Sequence, residues 1–190
     1  MNIGLYFGSF NPIHIGHLII ANHVVEHTSL EQVWFVVTPQ NPFKPSNVLL
    51  NEYNRLHLVN VAIEGNEKLR SSDVEFKLPR PSYTIDTLTY LTEKYPTHNF
   101  SIIMGSDSFQ NLPKWKNYEL LARDYTFIVY QRPGFIVPND LAGINYSIVS
   151  APLLDISATG IRKTIKEGKS IRYIVPDAVR AEIENNGYYK

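Results

Sequence analysis

The feature that most constrains the fold is an alternation of short apolar runs with longer stretches of helical spacing. The runs are rich in β-branched and aromatic residues, and six are candidate strands: 3–7, 33–37, 72–76, 100–104, 125–130 and 146–149. Candidate helices lie between or after them, at 18–25, 52–64, 83–95, 156–166 and 176–185. This order is typical of β-α-β units. It predicts a single Rossmann-like, doubly wound α/β domain over 1–190, with five to six mostly parallel strands and helices on both faces.

Loops at the carboxyl ends of the strands are the expected ligand-binding region of such a sheet. Segments 8–17, 105–107 and 152–162 follow predicted strands and meet this criterion. Segment 39–51 contains three prolines and is predicted to be a long loop, of a length that is often functional. The helix at 83–95 follows Ser82, which we expect to be its N-cap.

Charge and cysteine content exclude several classes of function. The 18 Lys+Arg balance the 18 Asp+Glu, which argues against a nucleic-acid partner or an acidic membrane surface. The absence of cysteine excludes disulfides, thiolate nucleophiles and cysteine-ligated metals, and it fits a reducing cytoplasm. No apolar run reaches 18 residues and the N-terminus lacks a secretion-signal pattern, so we expect an untargeted cytoplasmic protein. A monomer and a small homo-oligomer are both compatible with the sequence.

The first candidate site is the segment 8–17, G-S-F-N-P-I-H-I-G-H, at the junction of the first strand and helix. Small residues allow a ligand close to the backbone, and a helix start favours phosphate. His14 and His17 are three residues apart and would share one helix face. The segment lacks the Walker lysine and the G-x-G-x-x-G spacing. The alternative is an ordinary strand–helix turn with incidental histidines.

A metal site is not expected at these histidines. His14 with His17, and His23 with His27, are the pairs with helical spacing. Neither pair has acidic companions at ligand spacing, and no H-E-x-x-H motif occurs.

The second candidate site is the segment 156–162, I-S-A-T-G-I-R, at the start of a late helix. An arginine in the first turn opposes the helix dipole unless an anion neutralises it. The Arg162 guanidinium, with the hydroxyls of Ser157 and Thr159, would suit the β- and γ-phosphates of a nucleotide. The alternative is an ordinary capped surface helix.

Together the two segments resemble the (T/S)-F-x-P-x-H-x-G-H and I-S-(A/S/T)-T-x-I-R signatures of the nucleotidylyltransferase superfamily. P-S-Y-T-I-D-T-L at 81–88 and I-M-G-S-D-S-F-x-x-L-P-x-W at 103–115 resemble segments of the bacterial nicotinate-nucleotide adenylyltransferases. The resemblance runs from about Ile3 to Tyr188. It implies transfer of AMP from ATP to nicotinate mononucleotide in NAD biosynthesis, giving nicotinate adenine dinucleotide and pyrophosphate by direct in-line attack without a covalent intermediate.

The resemblance also implies residue roles. Three residues are expected to be catalytic: His14, His17 and Arg162. Ten are expected to bind ATP: Gly8, Ser9, Phe10, Gly16, Lys44, Gly105, Asp107, Ile156, Ser157 and Thr159. Nicotinate mononucleotide is expected to bind at Tyr83, Thr84 and Trp115. Mg²⁺ is expected on the nucleotide phosphates, and no metal site on the protein itself.

Two positions depart from the family pattern. Phe43 stands where many relatives have histidine, and Lys116 stands where some have a second aromatic residue. The Lys116 cation could assist an anionic substrate, or it could face solvent as a lone lysine usually does. The alternative functions are nicotinamide mononucleotide adenylyltransferase, phosphopantetheine adenylyltransferase and a non-catalytic nucleotide-binding regulator.

Overall fold

A single six-stranded sheet organises the chain. The computed structural model describes residues 1–40, 49–137, 143–152 and 154–190. The strands are β1 (Asn2–Gly8), β2 (Gln32–Val37), β3 (Leu69–Ser72), β4 (Asn99–Gly105), β5 (Thr126–Tyr130) and β6 (Tyr146–Val149). Their order is β3-β2-β1-β4-β5-β6, and every neighbouring pair is parallel. The predicted fold class is therefore confirmed.

Seven α-helices flank the sheet in the described part of the chain. They are α1 (Ile15–His27), α2 (Glu52–Ile63), α3 (Thr84–Lys94), α4 (Ser106–Phe109), α5 (Tyr118–Asp124), α6 (Ala158–Lys166) and α7 (Asp177–Asn186). Helices α4 and α5 were not predicted because four and seven residues are too short for a clear helical period. None of the described helices is long and apolar enough to cross a membrane.

Side chains of the strands alternate between two cores. In β2, Val33, Phe35 and Val37 face the core that contains residues of α1, α2, α6 and α7. Trp34 and Val36 face the other core, which contains residues of α3, α4 and α5. This period of two is the geometry of a strand covered on both faces. It confirms the prediction of helices on both faces.

Two local predictions are wrong. The third strand ends at Ser72, and Val74–Lys77 forms a 3-10 helix instead of the predicted strand. In the described part of the chain β3 pairs only with β2, and its short sequence L-R-S-S is too polar to be recognised from an apolar run. The N-cap of α3 is Tyr83, whereas Ser82 is buried one residue earlier and does not cap the helix.

The strand order places the expected ligand crevice between β1 and β4. The chain runs outward from β1 through β2 to β3, then returns to β4 on the other side of β1. Helices after β1 and β4 therefore leave on opposite faces, and a crevice opens at the carboxyl ends of these two strands. The loop after β1 and the turn at Gly105 both lie there.

Candidate active site

The loop after β1 is shaped by Phe10. Its φ is 44°, in the left-handed region that non-glycine residues seldom adopt. The ring is 3% exposed and packs edge-on against Phe35, with centroids 5.3 Å apart. A Cβ on Gly8 would lie 2.8 Å from the Cζ atom of Phe10, so Gly8 leaves room for this ring. The Phe10 side chain thus belongs to the core, so only the backbone of this residue is open to a ligand.

His14 and His17 lie together at the start of α1, as the spacing predicted. Their rings are stacked with centroids 3.7 Å apart, and the His14 amide donates to His17 Nδ1 at 3.3 Å. A Cβ on Gly16 would lie 3.2 Å from His14 Nδ1, which explains the glycine. His14 Nδ1 is buried and has no hydrogen-bond partner among the described residues. A buried polar atom at a helix start is a candidate contact for an incoming anion.

Burial sets the charge of His14. The residue is 6% exposed, and desolvation with the nearby Arg132 cation lowers its pKa to about 4. The His14 imidazole is therefore neutral at pH 7 in the free protein and carries one N–H donor.

Arg162 joins the two sequence motifs. Its Nη1 atom donates to the Asn11 carbonyl at 2.7 Å, across 151 positions of sequence, and its Nη2 atom donates to Thr159 Oγ1 at 3.2 Å. Ser157 is the N-cap of α6 and accepts from the Gly160 amide at 3.1 Å, whereas Ile156 packs into the core beside it. The structure therefore brings the start of α6 against the loop before α1.

A third part of the site surrounds the ends of β4 and β5. Arg132 lies 3.4 Å from an oxygen of Asp107 and donates to the Tyr130 hydroxyl at 3.0 Å. A Cβ on Gly105 would lie 2.9 Å from Arg132 Nε and would also meet Asp107 Oδ1. Asp107 Oδ1 is buried and unpaired among the described residues. Arg132 was not predicted, although its position two residues after the internal parallel strand β5 is a usable signal.

The first turn of α3 is the fourth part. Tyr83 caps this helix and Thr84 is its first residue, and both are half-buried. Lys116 Nζ lies 4.6 Å from the centroid of the Tyr83 ring and 2.8 Å from an Asp86 oxygen. Trp115, half-buried, packs against the same core as Tyr83. Lys116 is exposed, and its ammonium also pairs with Asp86 of α3.

A buried arginine, not predicted from the sequence, supports the loop after β1. Arg55 of α2 is 1% exposed and forms no ion pair with a described residue. Its guanidinium donates to four backbone carbonyls, at distances of 2.6 to 3.3 Å: Ser9, Thr38, Pro39 and Leu50. It thereby fixes the loop after β1 relative to the end of β2. Desolvation lowers the pKa of Arg55 from its ordinary value, but arginine remains charged in proteins.

The buried carboxyl of Glu75 is hydrogen-bonded to α3. It is 2% exposed and accepts a hydrogen bond from the hydroxyl of Thr87, at 2.9 Å, within α3. Burial raises the pKa of the Glu75 carboxyl, and the hydrogen bond from Thr87 opposes this in part. Sequence reasoning could not identify this residue because its burial depends on a contact with another element.

Glu75→Gln is expected to change how stability depends on pH. The unfolded carboxyl ionises near 4.5 and the folded one at higher pH, so Glu75 makes the free energy of unfolding fall as pH rises above 4.5. Glutamine keeps the acceptor for Thr87 and cannot ionise. The stability of the variant relative to wild type should therefore increase between pH 5 and 8, as urea denaturation can measure. His14 acts in the opposite direction but cancels between the two proteins, and a difference independent of pH would contradict the prediction.

One predicted ATP contact cannot be compared with the structure. Lys44 lies in 41–48, outside the described residues. The same is true of Phe43, which stands where many relatives have histidine.

The site and fold define a nucleotide-binding protein of the doubly wound α/β class. The model of the cytidylyltransferase-like family matches residues 5–164. A Cytophaga hutchinsonii protein is 51% identical, with 100% of this chain and 98% of that protein covered. A Flavobacterium psychrophilum protein is 50% identical over the whole of both chains. Both are named "probable nicotinate-nucleotide adenylyltransferase".

Solved structures agree on the fold. Plasmodium falciparum nicotinic acid mononucleotide adenylyltransferase in complex with NaAD superposes with a TM-score of 0.83 at 22% identity, covering 99% of this chain and 97% of that one. The chain belongs to the cytidylyltransferase-like family and, within it, to the nicotinate-nucleotide adenylyltransferases.

Proposed function

We propose that the protein transfers AMP from ATP to nicotinate mononucleotide, forming nicotinate adenine dinucleotide and pyrophosphate for NAD biosynthesis in the cytoplasm. Residues 1–190 would act as one catalytic domain. The observation that carries the proposal is the hydrogen bond from Arg162 to the Asn11 carbonyl, at 2.7 Å. This hydrogen bond brings the segments 8–17 and 156–162 together at one edge of the sheet, beside the stacked histidines. Relatives of the chain are named nicotinate-nucleotide adenylyltransferases.

The proposed chemistry is a direct displacement at phosphorus. An oxygen of the 5′-phosphate of nicotinate mononucleotide attacks the α-phosphorus of ATP, and the bond from that phosphorus to the bridging oxygen breaks as pyrophosphate leaves. The protein contributes position and charge stabilisation rather than a covalent intermediate. Mg²⁺ carried by ATP would offset phosphate charge. Within the described ranges, no group of three or more His, Asp or Glu side chains could hold a metal ion.

The residues around α1 and α6 would hold the triphosphate. The backbone of Gly8, Ser9 and Phe10 would surround the triphosphate. The rings of His14 and His17 would donate hydrogen bonds to its oxygens. Because the His14 imidazole is neutral, it offers one N–H donor to a phosphate oxygen. Arg162, with Ser157 and Thr159, would hold the departing pyrophosphate.

The remaining contacts would position the nucleosides. Gly105 and Asp107 would bind the adenosine and its ribose at the end of β4. The amides at Tyr83 and Thr84 would bind the nicotinate carboxylate, because a helix start favours an anion. Trp115 would stack on the pyridine ring.

Pyrophosphate release tests this proposal. The purified protein is incubated with MgATP and, separately, nicotinate mononucleotide, nicotinamide mononucleotide or phosphopantetheine. We expect the largest kcat/KM with nicotinate mononucleotide. A preference for another acceptor would reassign the substrate, and ATP binding without release from any acceptor would indicate a non-catalytic regulator.

Arg162→Lys is expected to lower kcat by about 10- to 100-fold. Lysine keeps the charge, but one ammonium cannot contact the Asn11 carbonyl, Thr159 and a phosphate with the fork geometry of guanidinium. Steady-state pyrophosphate release measures the effect. Lys163→Met, at the next and more exposed position of α6, is the matched control and should retain wild-type kcat. Equal rates for Arg162→Lys and wild type would remove Arg162 from the proposed site.

A further inference from the structure

Lys116 stands beside the proposed pyridine subsite and has no role in the reaction described above. Its ammonium lies 2.8 and 3.1 Å from the two carboxylate oxygens of Asp86. It also lies 4.6 Å from the centroid of the Tyr83 ring, at the N-cap of α3. A cation, a carboxylate and an aromatic ring therefore meet at the start of one helix.

The negative charge of Asp86 opposes the binding of an anionic ligand at the start of α3. It is the acidic residue of the first turn of α3, and its carboxylate already interacts favourably with the helix dipole. The amides of Tyr83 and Thr84 have no acceptor among the described residues and are available to a second carboxylate. Such a ligand would be repelled by Asp86 if that charge were not balanced.

Lys116 provides the balancing charge. The pair is half-exposed, with side-chain exposures of 42% and 41%, so water screens its field only in part. With the ammonium in place, the pair presents almost no net charge to a ligand at the helix start. Without it, the ligand faces the full charge of Asp86.

We propose that Lys116 is a specificity-determining residue, which favours the acid mononucleotide over the amide by cancelling the charge of Asp86 beside the Tyr83 and Thr84 amides. The inference rests on the proposed function. The pyridine carboxylate of nicotinate mononucleotide responds to this charge, whereas the neutral carboxamide of nicotinamide mononucleotide does not. The ratio of the two kcat/KM values therefore reports the role of Lys116.

Two variants that should change the acid-to-amide ratio of kcat/KM in opposite directions test the inference. Lys116→Met should lower kcat/KM for nicotinate mononucleotide by about 3- to 10-fold and change that for the amide by less than about 2-fold. Asp86→Asn should raise the acid-to-amide ratio, because the Lys116 charge is then unbalanced. The double variant should return the ratio towards wild type.

Lys114→Met is the matched control. Lys114 lies two residues earlier, is exposed, and donates to the Asn111 side chain at 2.9 Å. Its removal should leave both substrates unaffected. The Lys116 effect should also shrink as NaCl is raised.

The outcomes separate the inference from the proposed function. Equal losses with both mononucleotides in Lys116→Met would indicate lost packing on Tyr83 and overturn the inference, as would an unchanged ratio. Either result would leave the proposed function standing, because wild-type turnover of the acid mononucleotide is measured in the same assay. A wild-type protein that uses neither mononucleotide would contradict both.

Discussion

His17→Ala is expected to lower kcat for AMP transfer by about 10²- to 10³-fold. The half-buried imidazole lies at the start of α1 and stacks on His14 at 3.7 Å, where triphosphate charge would develop during the reaction. A donor lost from such a position removes stabilisation of charge in the transition state, worth about 2.7–4 kcal/mol. The ring is at the edge of the core, so the fold should remain intact.

The His17 prediction is measured by initial rates of pyrophosphate release at saturating substrates, with far-UV circular dichroism to monitor the fold. His27→Ala is the control, since this exposed residue is near the other end of α1 and stacks only on His23 among the described aromatic side chains. It should have wild-type kcat. A loss below about 5-fold in His17→Ala, against the effect typical of such donors, would remove the residue from the catalytic group.

Arg55→Ala is expected to lower the free energy of unfolding by about 3–5 kcal/mol. The substitution opens a cavity under the loop after β1 and leaves the Ser9, Thr38 and Leu50 carbonyls without their donor. Arg55→Lys should lose less, because an ammonium keeps some of these hydrogen bonds. Both variants should also lose activity, since the carbonyl of Ser9 is part of the proposed phosphate loop.

Urea denaturation at neutral pH measures the Arg55 effect through the midpoint and slope. Arg123→Met is a suitable control, because Arg123 is exposed and, among the described residues, pairs only with the neighbouring Asp124. Its stability should equal that of wild type. A loss below about 1 kcal/mol in Arg55→Ala would mean that water replaces the guanidinium, and that Arg55 does not hold the loop.

The parts of the site that could be predicted are those formed by consecutive residues. Glycines, histidines and hydroxyls at strand–helix junctions predicted the two motifs, and the parallel sheet explains why both lie at one edge. Each motif is local, and each helix start has a local signature. What spacing alone left open is the contact between them, which is the hydrogen bond from Arg162 to Asn11.

The parts that could not be predicted depend on contacts between distant elements. Arg55 and Glu75 are charged residues in unremarkable local sequence, and only the packing of α2 and α3 against the sheet buries them. The polar edge strand β3 has too few apolar residues to be recognised. The ion pair of the exposed Lys116 could not be predicted because Asp86, its partner, is 30 residues away.

The fate of the α-phosphorus is the most direct test of the proposed reaction. The protein is incubated with nicotinate mononucleotide and MgATP carrying ³²P at either the α- or the γ-position, and the products are separated by chromatography. The account predicts that the α-label enters nicotinate adenine dinucleotide, while the γ-label appears in pyrophosphate in equal amount. Transfer of the γ-label to the mononucleotide, or retention of both labels in ATP, would contradict it.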